Sequence, residues 1–242
     1  MKKHVALLAA ILSFAFGPTC LAAQQAAAQP ATRMSAYAPA ERILNLDDLK
    51  SQLRQYHECT CKCGCYAKDI DRQADRAIAF LRQRAAHRRP QEKLALVLDI
   101  DETTLSNYQE IVTADFAYDS RTFNAWVDSA KAPAISGTLR LYREAQGLGV
   151  SVFFLTGRTE AQRAATEQNL QSQGFQNWQQ LVLRPAAQAS ETALVYKSAA
   201  RAQVAAQGYT IVLNVGDQWS DLRGKPEAEF SVKYPDPFYF VP

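Results

Sequence analysis

Apolar residues run without alternation from Leu94 to Leu98 and stop at a group of acids, Asp99, Asp101 and Glu102. An unbroken run of this length is the pattern of a strand covered on both faces, as in a parallel sheet. Shorter apolar runs at Val150 to Leu155, Leu181 to Leu183, Ile211 to Val215 and, more weakly, Phe230 to Tyr234 predict further strands. Between them apolar positions recur at helical spacing. A first helix is capped by Asn45 and carries Leu49, Leu53 and Tyr56, and a second covers 68–86 with Ile70, Ala74, Ala77, Ile78 and Leu81 inward. Others are predicted over Gly137 to Gln146, over Thr159 to Gln173 with a capping box at Thr159 and Gln162, and over Lys197 to Gln207. Strands alternating with helices predict an α/β fold: a three-layer, Rossmann-like parallel sheet with right-handed crossovers. One connection is out of scale. Residues 104–136 separate the first strand from its crossover helix, far more than an ordinary βα loop, and they hold Tyr108, Phe116, Tyr118, Phe123 and Trp126. They are expected to form a small helical cap inserted after the first strand, a lid over the acids.

The ends of the chain change the picture more than its composition does. Lys2 and Lys3 precede an apolar run from Val5 to Phe16, then Gly17, Pro18 and small residues to Ala23, the pattern of a secretory signal peptide. That run is too short for a transmembrane helix, and no later segment approaches the necessary length. Residues 1–23 are therefore expected to be a signal peptide, 24–40 a flexible leader, and 41–242 a single domain in the periplasm or outside the cell. Lipid anchoring at Cys20 is disfavoured, because the residues before it fit a lipoprotein signal poorly. Of the 242 residues, 48% are hydrophobic and 21% charged, ordinary values for a globular protein. The formal charge of +3 includes Lys2 and Lys3, which leaves no global attraction for a nucleic acid polymer. Cys59, Cys61, Cys63 and Cys65 form one local cluster. In an exported protein local disulfides are the favoured reading, with a soft metal site or free thiols as alternatives.

Chemistry enters at the strand ends. Asp99 and Asp101 close the first strand, Thr156, Gly157 and Arg158 follow the second, Asp217 and Asp221 follow IVLNVG, and Lys197 sits near a helix N-terminus. If those strands are neighbours, the groups converge on one crevice. Clustered carboxylates call for a cation, and aspartate oxygens suit Mg2+, which is commonly bound together with phosphate. A hydroxyl, backbone N–H groups and a lysine supply what a tetrahedral dianion needs. Together these halves describe phosphoryl transfer. Each has a plainer reading alone: Thr-Gly as a turn, Lys197 as a solvated side chain, Asp217 and Asp221 as turn and capping residues. A calcium loop is excluded, since the sixth position lacks Gly, the twelfth lacks Glu, and a strand leads in.

The stretches DIDETTLSN, FFLTGRTE, YKS and VGDQWSD resemble, in order, the four motifs of the haloacid dehalogenase superfamily. The likeness is strongest to its acid phosphatase branch, which holds bacterial class C acid phosphatases and the plant acid phosphatase and vegetative storage protein group. It runs from about Leu44 to Pro242, including the ending YPDPFYFVP. GDQWSDL is closer to the plant group, and the four-cysteine insert fits neither pattern. The resemblance implies that Asp99 is the nucleophile and Asp101 the general acid and base. It implies Mg2+ held by Asp99, the Asp101 backbone carbonyl and Asp217, with Asp221 in support. Thr156, Gly157 and Lys197 would hold the phosphoryl group, and Glu102 has no role. The expected substrate is a small phosphate monoester, with a flat ring near Tyr108, Phe123 or Trp126; the oligomeric state is left open. A non-catalytic storage protein on the same fold is the alternative, and the presence of Asp99 argues for an enzyme. Dehalogenase or phosphonatase chemistry is disfavoured, because Asp101 serves the leaving group of a phosphate ester.

Overall fold

A computed structural model describes residues 44–59 and 65–241. The expected signal peptide (1–23), the leader (24–40) and Cys20, Cys61 and Cys63 lie outside the described residues, so the pairing of the cysteine cluster does too. Cys65 opens the second helix, and its Sγ lies 3.1 Å from the carbonyl oxygen of Cys59. Among the described residues no helix is long and apolar enough to cross a membrane.

Five parallel strands, β1 (Lys93–Leu98), β2 (Ser151–Thr159), β3 (Gln180–Arg184), β4 (Tyr209–Gly216) and β5 (Phe230–Lys233), lie in the order β3-β2-β1-β4-β5. The chain fills one side of β1 with β2 and β3, then crosses to the other side for β4 and β5. This reversal leaves a crevice beyond the carboxyl ends of β1 and β4, the place where ligands bind in open α/β sheets. The unbroken apolar run of β1 has a direct cause. Leu94, Leu96 and Leu98 pack on one face with Ile70, Leu81, Leu141 and Tyr142. Ala95 and Val97 pack on the other face with Tyr196, Ala200 and Val204. Helices α2 (Tyr66–Ala86), α5 (Ser136–Gly147) and α6 (Arg163–Ser172) cover the first face, and α7 (Ala193–Ala206) covers the second. The outer helix α1 (Leu46–Glu58) begins as predicted, with the Asn45 side chain accepting the Asp47 N–H at 2.9 Å.

Three boundaries differ from the sequence pattern. Strand β2 continues through Thr156 to Thr159, because polar residues can extend a strand whose register is already set by β1 and β3. The capping box at Thr159 and Gln162 forms, but it opens a single 3-10 turn before α6 begins at Arg163. Helix α7 starts at Ala193, where Thr192 accepts the Val195 N–H at 3.3 Å, so Lys197 falls in its second turn rather than at its start.

Two short helices, α3 (Tyr108–Thr113) and α4 (Ser120–Asp128), occupy the long connection after β1. Its ends are clamped by backbone hydrogen bonds, Ser106 N–H to Pro133 O at 2.9 Å and Ile135 N–H to Thr104 O at 3.0 Å. Tyr108 leaves the cleft. Its ring stacks on His57 with centroids 3.4 Å apart, and its hydroxyl donates to Glu58 at 2.9 Å. Phe238 and Tyr66 complete that aromatic group around His57.

Burial lowers the His57 imidazole to about 4, with Glu58 offsetting part of the shift. The unfolded chain would protonate this ring near about 6.5, so between these values the unfolded state binds the extra proton and stability rises with pH. In an NMR titration the His57 ring signals should move with a midpoint near 4. A midpoint at the ordinary histidine value would mean the aromatic enclosure is absent.

Candidate active site

The pairing of β1 with β4 sets the first two aspartates side by side. Leu98 is aligned with Val215, so Asp99 leaves β1 where Gly216 and Asp217 leave β4, and the Asp99 N–H donates to Val215 O at 3.0 Å. Asp221 returns to the same point from the short helix α8 (Trp219–Leu222). Carboxylate oxygens of Asp99, Asp217 and Asp221 lie within 4.8 Å of one another, all three residues buried. Lys197 reaches across from α7. Its Nζ is 2.7 Å from Asp99 Oδ1 and also contacts Asp221 Oδ1.

Electrostatics make this cluster expensive. Burial pushes the Asp99 carboxyl well above the usual range; the Lys197 ammonium pulls it back, while Asp221, Asp217 and Asp101 push it further up. Asp217 is raised by burial, then by Asp221 and Asp236. Burial disfavours the charge on Lys197, but Asp221 and Asp99 outweigh it and hold the ammonium above its ordinary value. One lysine cannot balance three buried carboxylates. Hard oxygen donors crowded in this way fit a hard divalent cation, and the cluster could bind a metal.

Asp101 has different company. Arg158 Nη2 lies 2.7 Å from its Oδ1, and Asn107 Nδ2 donates to the same oxygen at 2.8 Å. Burial raises this carboxyl, but the Arg158 charge, the Arg158 hydrogen bonds and Asn107 together bring it below the ordinary value. The side chain of Asp101 therefore stands outside the three-aspartate cluster. Thr156 is fully buried beside Asp101: its Oγ1 accepts the Arg158 N–H at 3.1 Å and lies 3.5 Å from Asp101 Oδ2. Gly157 is exposed and borders the cleft.

The cleft has a volume of about 490 Å³, with Asp99, Asp101, Lys197, Asp217 and Asp221 on its wall. Of the expected cap aromatics, Phe123 lines it together with Phe116 and Tyr118, whereas Tyr108 and Trp126 do not. The C-terminal segment, Phe238 to Val241, also lines it, and in the sequence this segment stands out only as part of the ending YPDPFYFVP. Gln218 ties that segment to the site. Its Nε2 lies 2.7 Å from Asp217 Oδ2 and 2.7 Å from Asp236 Oδ2, and its Oε1 accepts the Val241 N–H at 3.1 Å. Sequence reading also passes over Asn107 and treats Arg158 only as the residue after Thr-Gly. The one available signal was their position inside the motif stretches.

A parallel α/β sheet with aspartates at a strand end, a buried lysine and an acidic cluster under a small cap fits a phosphomonoesterase. Sequence comparison makes this specific: residues 19–242 match the profile of the HAD superfamily, subfamily IIIB (acid phosphatase), and the chain belongs to that family. It is 37% identical over 179 residues to "Acid phosphatase 1" of Solanum lycopersicum, covering 73% of this chain and 69% of that protein. It is 38% identical over 154 residues to the "Stem 28 kDa glycoprotein" of Glycine max, covering 62% of this chain and 61% of the relative. The fold matches the class C acid phosphatase from Bacillus anthracis with a TM-score of 0.67 at 20% identity, over 81% of this chain and 87% of that one. The family, the parallel sheet and the phosphomonoesterase class thus agree with what the motifs imply.

Gly216 is the geometric hinge of the cluster, because a Cβ there would overlap the Asp221 side chain. The variant G216A should force Asp221 away and lower turnover by about a hundredfold, the scale of a misplacement of about 1 Å. Steady-state kinetics beside a thermal unfolding curve would check this. Unchanged kinetics would show that Asp221 need not stand there.

Proposed function

We propose that this protein is an exported, Mg2+-dependent acid phosphatase that hydrolyses small phosphate monoesters through an aspartyl phosphate. The observation that carries the reading is the grouping of Asp99, Lys197, Asp217 and Asp221 on the wall of one cleft, with Asp101 beside them in a separate hydrogen-bonded setting. The signal-like N-terminus supports export. A metal held by Asp99, Asp217, Asp221 and the Asp101 carbonyl would supply positive charge for the phosphoryl oxygens and keep Asp99 ionised.

The residues divide the reaction between them. An Asp99 carboxylate oxygen attacks phosphorus; the bond to the ester oxygen breaks, and Asp101 gives that oxygen its proton. Water then attacks the same phosphorus while Asp101 takes its proton back, and the Asp99–phosphorus bond breaks to release phosphate. Arg158 and Asn107 favour the ionised Asp101 required in this second half. Lys197 balances charge at the phosphoryl oxygens, assisted by Thr156 and the backbone of Gly157. Phe123, with Phe116 and Tyr118, favours a substrate that carries a flat ring, an aryl phosphate or a nucleoside monophosphate.

The purified protein should hydrolyse an aryl phosphate, lose that activity in EDTA and regain it with Mg2+. The variant D99N should be inactive while still folded. Phosphate or metal binding without turnover would favour a storage-type protein, and equal activity in wild type and D99N would sink the aspartyl-phosphate route.

A further inference from the structure

We infer that Trp126 and Asn107 are positioning residues for Asp101, and that cap helix α4 sets the orientation of the general acid through them. This deepens the phosphatase reading above and rests on it. The starting observation is a side chain that does not do its local job. Asn107 occupies the N-cap position of α3, where asparagine ordinarily accepts a helix N–H, yet it makes no side-chain cap bond. Its amide is spent elsewhere. Nδ2 donates to Asp101 Oδ1 at 2.8 Å and to Glu102 Oε2 at 2.9 Å, and Oδ1 accepts the Trp126 indole N–H at 2.9 Å.

These bonds leave no freedom in the orientation of the amide. An indole nitrogen only donates, so the carbonyl side of Asn107 must face Trp126 and the NH2 side must face the carboxylates. Asn107 is 1% exposed, which denies it water as a substitute partner. Glu102 completes the clamp from a left-handed backbone conformation, φ 54, rare for such a residue. Its other oxygen accepts the Asn107 N–H at 2.6 Å, and the residue is fully buried. The buried carboxylate without an assigned role thus acts as the anchor for Asn107. Trp126 lies on α4, which is also tied to the turn after β2 by Gln162 Nε2 donating to Asn124 Oδ1 at 3.1 Å. A displaced α4 would leave the Asn107 carbonyl without its donor, so that the amide, still tethered by Glu102, would lose its single fixed orientation toward Asp101.

The test exploits the proton that Asp101 supplies. Phenyl phosphate and p-nitrophenyl phosphate present the same flat ring, but the second leaving group departs with much less help from an acid. W126F keeps an aromatic side chain but removes the indole N–H together with the five-membered ring; it should lower kcat/KM for phenyl phosphate about tenfold more than for p-nitrophenyl phosphate. N107A should enlarge that difference to about a hundredfold, and the double variant should be no worse than N107A, since both act on one group. Thermal unfolding of W126F at the wild-type temperature would exclude a loss of fold. Equal losses on both substrates, or a change in KM alone, would overturn the positioning role while leaving the phosphatase reading intact. A wild type that turns over neither substrate would remove both.

Discussion

Burial of like charge at the ends of β1 and β4 is the constraint from which the site follows. Parallel pairing brings Asp99 beside Asp217, and the bare Cα of Gly216 lets Asp221 close in from α8. Removing carboxylates from water costs several kcal/mol per ion even after relaxation. The fold answers with fixed donors: Thr103 Oγ1 and Gln218 Nε2 on Asp217, the Gln218 N–H on Asp221, and Lys197 between Asp99 and Asp221. These partners orient the carboxylates without neutralising them. The excess of carboxylates over cations is what a bound divalent cation would offset.

The same strand end separates two adjacent acids by environment. Asp99 faces a lysine and two further carboxylates, whereas Asp101, two residues on, faces Arg158 and Asn107. Burial raises both carboxyls; at Asp99 it prevails over Lys197 with the help of Asp221, Asp217 and Asp101, whereas at Asp101 Arg158 and Asn107 overcome it. Two carboxylates from one tight turn therefore sit in different electrostatic settings. The cap and the C-terminal segment both reach this turn, α4 through Trp126 and Asn107 and the tail through Gln218, so elements that line the cleft also hold its acids in place.

Much of this was legible in the chain. The run from Leu94 to Leu98 reported a strand buried on both faces because each face meets its own layer of helices. The aspartates, Thr156 and Lys197 could be named because they recur in order at strand and helix ends. The aromatic residues of the cap were visible as a group, but their destinations were not. Tyr108 stacks on His57, Trp126 bonds Asn107, and only Phe123 of the three lines the cleft.

Sequence by itself determined the layers, the long insertion and the acids, since periodicity records how an element is buried along its own axis. Tertiary structure alone decided which side chains meet across elements. Arg158 finds Asp101 at a separation of 57 residues, and the Val241 N–H finds Gln218 at 23. Neither pairing leaves a periodic trace, because each depends on the rotamers and approach of elements brought together only when the sheet, cap and tail have packed.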